Sequence, residues 1–374
     1  MTEDWPILLS FFPNNWLETA ATTGVLTKLR KDKDVENYLR TLLIHLACGH
    51  SMRETVVRAK RAGLADISDV GLLGRLRKAK DWLHSLCISL IKERQQELKI
   101  DSSDDGFQVR LFDATTVKEP GKTGSLWRIH YSVRLPSLSC DFFKVTPTKG
   151  KGTGESFSQY PIRKGDYILA DAGYSTPSGI HHLSSKQAHV TVRVNPQNLP
   201  LLDHKGCQLR LLDVVTTVKR PGAIKSWKVK IPAKKKSEVV DGRICVIRKT
   251  EEAIEIAHKK IKRSAQKSGQ TTKLETFEYA KYVIVFSTFP SDEFSDFEVL
   301  EWYRARWQVE LVFKRFKSIA NLGHLPKQND ESSKAWLYGK LFVALLTEKL
   351  IEHASSVSPW GYILEEQAAS EHLA

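Results

Sequence analysis

Residues 107–117 read FQVRLFDATTV. Up to about residue 100 the apolar residues recur at helical spacing; here the period shortens to that of a strand. The run is rich in aromatic and β-branched side chains and ends on an acid, Asp113. Two more runs of the same kind follow, LWRIHYSVRL (126–135) and CDFFKVTPTK (140–149), and read as two further strands. A short polar helix at 154–160 (GESFSQY) precedes DYILADAGY (166–174), a buried strand that ends in small residues around a second acid, Asp171. A helix near 178–187 then leads to a strand in HVTVRVNP (189–196). Three strands in succession, then strands alternating with helices, predict a mixed α/β sheet.

Outward from this core the pattern changes on both sides. In the helical first hundred residues, SMRETVVRAKRAGL (51–64) opens with the S-x-x-E of a capping box, Ser51 as N-cap and Glu54 three residues on, and ends at Gly63 as a C′ residue. Arg53, Arg58, Lys60 and Arg61 on this segment fit either a DNA-binding helix-turn-helix module or the charged face of an ordinary helical bundle. Residues 197–280 interrupt the sheet rhythm with a strongly basic stretch, VKRPGAIKSWKVKIPAKKKSE (218–238), and two strand candidates, SWKVKIP and GRICVIRK. KYVIVFST (281–288) returns to the core, a long helix spans about 295–319, and one more amphipathic helix covers 334–355. The expected organisation is a helical DNA-binding domain at 1–100, a core at 101–196 and 281–355, a β-rich insertion at 197–280, and a C-terminal tail at 356–374.

Composition narrows the function. Of 374 residues, 57 are Lys or Arg and 43 are Asp or Glu, a formal net charge of +14. That excess suits a polyanionic partner, nucleic acid before membrane. The five cysteines are scattered with no C-x-x-C pair, which argues against zinc fingers and for a reducing cytoplasm. The acidic start MTEDWPILLSFFP lacks the basic segment of a signal peptide, and no stretch approaches the roughly 18 apolar residues of a membrane span.

The candidate chemistry rests on three acids. Asp113 and Asp171 each close an apolar strand, where the crevice beyond the carboxyl ends of an α/β sheet takes ligands; singly, each is also a common turn former. The third acid is Glu310 in WYRARWQVELVFKRFK (302–317). At roughly 100° per residue, Tyr303, Arg306, Glu310, Lys314 and Lys317 fall within an arc of about 80°, with Trp307 at its edge. Val309, Val312, Phe313 and Phe316 occupy the neighbouring core face. A lone carboxylate in a stripe of cations and aromatics suits a site that handles phosphates, with the aromatics placed for stacking. Two strand-end aspartates and a helix glutamate supply the hard oxygen ligands that two Mg²⁺ ions (or Mn²⁺) require for cutting a phosphodiester.

Tyr303, Arg306, Glu310 and Lys317 also spell Y-x₂-R-x₃-E-x₆-K, and with DATT (113–116) and ADAGY (170–174) the chain resembles the DDE transposases of insertion-sequence family 4. The resemblance covers about 107–355. It implies an RNase H-like catalytic core with a large β insertion between the second Asp and the Glu. It further implies cutting at terminal inverted repeats and joining of the freed 3′-hydroxyl to target DNA, by a homodimer assembled on DNA. In this reading Asp113, Asp171 and Glu310 bind the two metal ions. Tyr303, Arg306, Lys314 and Lys317 contact phosphates, and Trp307 stacks on a flipped base. Trp227 reads instead as a strand residue packing its own subdomain. Where many relatives carry Arg after the second Asp, this chain has Ala172. The alternatives are a non-catalytic DNA-binding descendant and a structure-specific Mg²⁺-dependent nuclease.

Overall fold

Side chains along the opening strand alternate between two buried environments. Val109 and Leu111 enter one apolar cluster and Phe112 the other. The sheet is therefore covered on both faces, as parallel strands joined by helical crossovers require. The computed structural model describes residues 4–27, 34–97, 108–118, 126–135, 137–150, 152–233, 238–269, 271–318, 322, 325, 326 and 329–357. The expected tail at 356–374 lies almost wholly outside the described residues.

The chain begins with α1 (Trp5–Leu9), α2 (Trp16–Thr22), α3 (Val35–Leu46), α4 (Met52–Arg61), α5 (Asp69–Lys78) and α6 (Lys80–Glu97). Then come β1 (Val109–Lys118), β2 (Leu126–Leu135), β3 (Cys140–Pro147), β4 (Tyr167–Ala170), α7 (Pro177–Ser185) and β5 (His189–Arg193). The stretch after β5 gives α8 (Leu211–Val215), β6 (Ile224–Ile231), β7 (Val240–Arg248), α9 (Glu251–Ser268) and α10 (Leu274–Ala280). The chain continues through β8 (Tyr282–Ser287), α11 (Asp296–Ala305), α12 (Trp307–Ser318) and α13 (Asp330–Val357). The polar segment at 154–160 is a single 3₁₀ turn, Phe157–Gln159.

One sheet runs β3-β2-β1-β4-β5-β8-β7-β6. Its first three strands form an antiparallel meander, and β4 and β5 lie parallel to β1. This order is consistent with an RNase H-like core. The basic stretch does not interrupt the sheet as its composition suggests: β7 pairs with β8 and β6 with β7, so its strands extend the same sheet. That pairing is between segments far apart in sequence, which local pattern does not record. Trp227 of β6 packs against the apolar cluster on the far face, in agreement with the packing reading.

The N-terminal helices share a core with the sheet. Leu39, Leu42 and Leu46 of α3 and Leu83 and Leu86 of α6 enter the same cluster as Leu111 of β1 and Leu341 of α13. Gly339 of α13 lies so close to α3 that a Cβ there would meet Leu46 Cδ1 at 2.5 Å. In α4 the Ser51 hydroxyl accepts from the Glu54 amide at 3.2 Å, and Gly63 follows the helix in the left-handed region at φ 70°. The box stays half closed, because the Glu54 carboxylate pairs with Arg58 at 2.7 Å.

The long helix expected at 295–319 is two. Arg306 N–H bonds the Tyr303 carbonyl at 3.1 Å, and Val309 N–H bonds the Arg306 carbonyl at 3.2 Å. These three-residue bonds tighten the turn and separate α11 from α12. α11 starts at a complete capping box, Ser295 with Glu298.

Candidate active site

The ladder between β1 and β4 fixes the two aspartates side by side. Phe112 is paired with Ala170, so the next residues, Asp113 and Asp171, leave neighbouring parallel strands at the same level. Such strands lie roughly 4.8 Å apart. Leu111 and Leu169 bury in the cluster that holds Val309, Val312 and Phe313 of α12, while Phe112 and Ala170 bury in the opposite one. By alternation, both aspartates belong to the face on which α12 packs.

The strand end is braced from behind. Tyr160 stacks on Phe112 with ring centroids 4.1 Å apart, and its hydroxyl donates to the Asp113 carbonyl at 2.8 Å. The Tyr174 hydroxyl joins it at 2.8 Å. Asp113 accepts from the Ala114 amide at 2.8 Å, and Asp171 from the Gly173 amide at 2.8 Å. Burial pushes the Asp113 carboxyl up to about 7; Asp171 and Glu155 push the same way, and the Ala114 amide and Arg306 oppose them.

Glu155 is an acid the sequence reading passed over. A Cβ on Gly173 would sit 2.6 Å from Glu155 Oε2 and 3.1 Å from Asp171 Oδ1, so these two oxygens flank the same point. Burial and then Asp171 raise the Glu155 carboxyl above its ordinary range, and Arg128, 3.6 Å away, counters them. Its signal in sequence is one acid inside a glycine- and serine-rich loop, a weak one.

The third expected acid, Glu310, is placed differently from the expectation. Its side chain is 50% exposed and takes a hydrogen bond from Arg306 Nη2 at 2.7 Å. Arg306 Nη1 lies 4.0 Å from Asp113 Oδ2, so one guanidinium stands between Glu310 and Asp113. Among the described residues no three His, Cys, Asp or Glu side chains converge as a metal ion would require. The physical reason is charge: acids this close need a cation between them, and Arg306 supplies one.

That arrangement bears on metal. The donor set is carboxylate oxygen, the kind that Mg²⁺ and Mn²⁺ take. Asp171 makes no ion pair among the described residues, and burial first, then Asp171 and Glu155, push the Asp113 carboxyl well above the ordinary carboxylate range. The donor chemistry thus suits a divalent cation, while the described side chains do not converge on one point for it.

Around the acids the cations divide. Arg306 lies over the Tyr303 ring at 5.8 Å, and its Nε has no hydrogen-bond partner among the described residues. Tyr303 is half-buried against the core, not an exposed stacking face as the helical wheel implies. Trp307 is 49% exposed, and Lys314 and Lys317 are exposed. Arg193, also missed in sequence, follows Val192, which is paired with Ala170, so it extends the row of Asp113 and Asp171 onto β5. It is exposed and close enough to Tyr303 to act on its hydroxyl. Its signal in sequence is weak: one charged residue closing a short apolar strand, β5. Far from this site, α4 carries its cations in pairs: Arg53 with Asp69 at 3.7 Å, Arg58 with Glu54 at 2.7 Å, and Lys60 with Asp66 at 3.0 Å. Arg61 is exposed.

A sheet with an acidic crevice at the carboxyl ends of its parallel strands, facing a basic helix, is the arrangement of a phosphate-handling enzyme. Residues 105–346 match the family described as "Transposase DDE domain", and the chain belongs to that family. It is similar to the InsL protein of insertion sequence element IS186A of Escherichia coli K12, 27% identical over 362 residues and 96% of each chain. The transposase for IS421 of Escherichia coli is 27% identical over 363 residues, again 96% of each chain. A more distant likeness is the transposase for IS231B of Bacillus thuringiensis, 22% identical over 72% of this chain and 62% of the relative. DDE transposases generally use divalent metal ions. No helix among the described residues is long and apolar enough to cross a membrane.

Proposed function

We propose that this chain is the transposase of an insertion sequence, cutting DNA at terminal inverted repeats and joining the 3′-hydroxyl ends to target DNA, as a homodimer on DNA in the cytoplasm. The observation that carries the reading is the level pairing of Phe112 with Ala170, which sets Asp113 and Asp171 together beside α12. Asp113, Asp171 and Glu310 would hold two Mg²⁺ ions (or Mn²⁺), with Glu310 exchanging its bond to Arg306 for that role. Bound there, such ions activate the attacking hydroxyl and stabilise the leaving oxygen.

The protein's own groups do the rest. Arg306 and Arg193, both near Tyr303, hold the phosphate at the crevice, and Lys314 and Lys317 hold the next phosphates along α12. In each step an oxygen nucleophile forms a bond to phosphorus while the bond from phosphorus to the leaving oxygen breaks; the nucleophile loses its proton and the leaving oxygen gains one. First water attacks and frees a 3′-hydroxyl; then that hydroxyl attacks target DNA. Tyr160 and Tyr174 keep the Asp113 backbone fixed throughout. Exposed Trp307 is placed for stacking on an unpaired base.

The half-exposed, Arg306-bound Glu310 favours a second reading, a DNA-binding descendant without chemistry. One experiment separates the two. With a repeat-bearing duplex and Mg²⁺, Glu310→Ala is expected to abolish cleavage and leave binding largely intact. Equal cutting by the variant and the parent chain would remove Glu310 from the mechanism; no cutting by either would favour the binder.

A further inference from the structure

The edge of the sheet that carries the aspartates continues past them. β8 is antiparallel to β5, and β7 to β8, so the carboxyl ends of β1, β4, β5 and β7 and the amino end of β8 share one edge. Read across the strands, Asp113, Asp171 and Arg193 stand at one level, and Lys281 and Lys249 lie four residues further out on β8 and β7. The sign changes from acid to base within one strand spacing.

Two of the acids beside these cations are engaged. Glu278 pairs with Lys281 at 2.7 Å and Glu251 with Arg248 at 2.9 Å. Arg193, Lys249 and Lys260 of α9 are left with no ion pair among the described residues. Half-buried Lys249 donates to the Ala280 carbonyl at 2.7 Å. It lies within electrostatic reach of both Arg193 and Lys260, and burial, then Arg193 and Lys260, make its charge harder to hold. Three cations gathered with no direct ion pair repel one another, and a polyanion joining them relieves that repulsion.

A plain structural reading is that α9 places acids at its start and bases towards its end to suit the helix dipole. Glu251, Glu252 and Lys267 satisfy that reading. It does not cover Lys260, which is mid-helix, nor Arg193 and Lys249, which are off the helix. The contrast with α4 is direct: three of its four candidate DNA-binding cations already have acid partners, so they have less to gain from a phosphate.

We propose that Lys249 and Lys260, starting from Arg193, form a path along which the phosphate backbone of DNA runs from the active site onto the outer face of α9. This rests on the transposase reading above. From Arg193 the path crosses two strand steps to β7, roughly 10 Å at about 4.8 Å each, and runs four residues, about 13 Å, along β7 from Cys245 to Lys249, before the helix adds its own length.

The test is the salt dependence of binding to a 30-base-pair duplex of arbitrary sequence, followed by fluorescence anisotropy with chelator present. Lys260→Gln is the main variant because the residue is exposed and its loss leaves the fold unstrained. Its salt slope is expected to fall by about 0.9, so the loss of affinity between about 50 and 200 mM salt becomes about 3.5-fold smaller. Lys260→Arg is expected to keep the parent slope, and Lys60→Gln, a paired cation on α4, to change it less than Lys260→Gln does. An unchanged slope in Lys260→Gln, with a reduced one in Arg306→Gln, would overturn the path while leaving DNA at the active site. Absence of any salt-dependent binding by the parent chain would overturn the path and the transposase reading together.

Discussion

Two places three residues apart on β1 hold buried charge on opposite terms. At the first Arg110, 3% exposed, bonds Asp141 at 2.7 Å, Asp166 at 2.8 Å and the Pro161 carbonyl at 2.8 Å. Arg134 reaches the same Asp141 oxygen at 3.2 Å. Two guanidiniums meet two carboxylates, so the charges balance, although Asp141 Oδ1 has no hydrogen-bond partner among the described residues. Three residues along the strand, Asp113 faces Asp171 and Glu155, and its nearest guanidinium, 4.0 Å off, is already bonded to Glu310. Charge matched in sign and number is architecture, because the interior neutralises its own ions. Charge left short of a partner marks where something from outside belongs.

The largest expected effect tests that division at Asp113. Asp113→Asn keeps the shape and removes one charge. Nicking of duplex DNA in Mg²⁺ is expected to fall by at least about a thousandfold, the order seen when one charge-stabilising group is lost. The thermal midpoint should not drop, because the lost charge was poorly matched. A variant that still nicks well would put the acids on the architectural side.

At Arg110 the expectation reverses. Arg110→Leu leaves Asp141 and Asp166 buried with half their partners, and the cost is expected to be about 3–5 kcal/mol of folding stability. Urea denaturation followed by tryptophan fluorescence reads it. A loss well under 1 kcal/mol would mean that this network does not hold the strand, and that charge balance is no guide to role.

The sequence carried much of this, unevenly. β2 is the segment LWRIHYSVRL to the residue, because alternation within a strand is a local property. The two aspartates were legible for the same reason, each ending its own apolar run. The joining of β7 to β8 was not, since no local pattern records a pairing between distant segments. Nor was the break at Arg306, where every residue suits a helix and only the turn's hydrogen bonds differ. The pairing of α4 cations with Asp66 and Asp69 depends on how the following turn folds back. Arg193 and Glu155 take their meaning from neighbours on other strands and loops, so neither stood out in the chain alone.

The smallest effect is the sharpest on the comparison, because it turns on a sign. Glu155 faces Asp171 across the Gly173 position, and its proton is held more tightly in the folded chain than an ordinary glutamate's. A raised folded-state value means that the ionised form works against folding at neutral pH. Glu155→Gln is therefore expected to stabilise the metal-free protein, by about 0.5 kcal/mol once solvent screening and the loss of the Arg128 contact are allowed for. Asp166→Asn, an equally small change in the Arg110 cluster, is expected to destabilise it. The measurement is the urea midpoint of both variants at pH 7.5 with chelator present. Shifts in opposite directions would separate a cluster built to be balanced from one built to await a cation; two losses would place Glu155 among the structural acids, its partner being Arg128 alone.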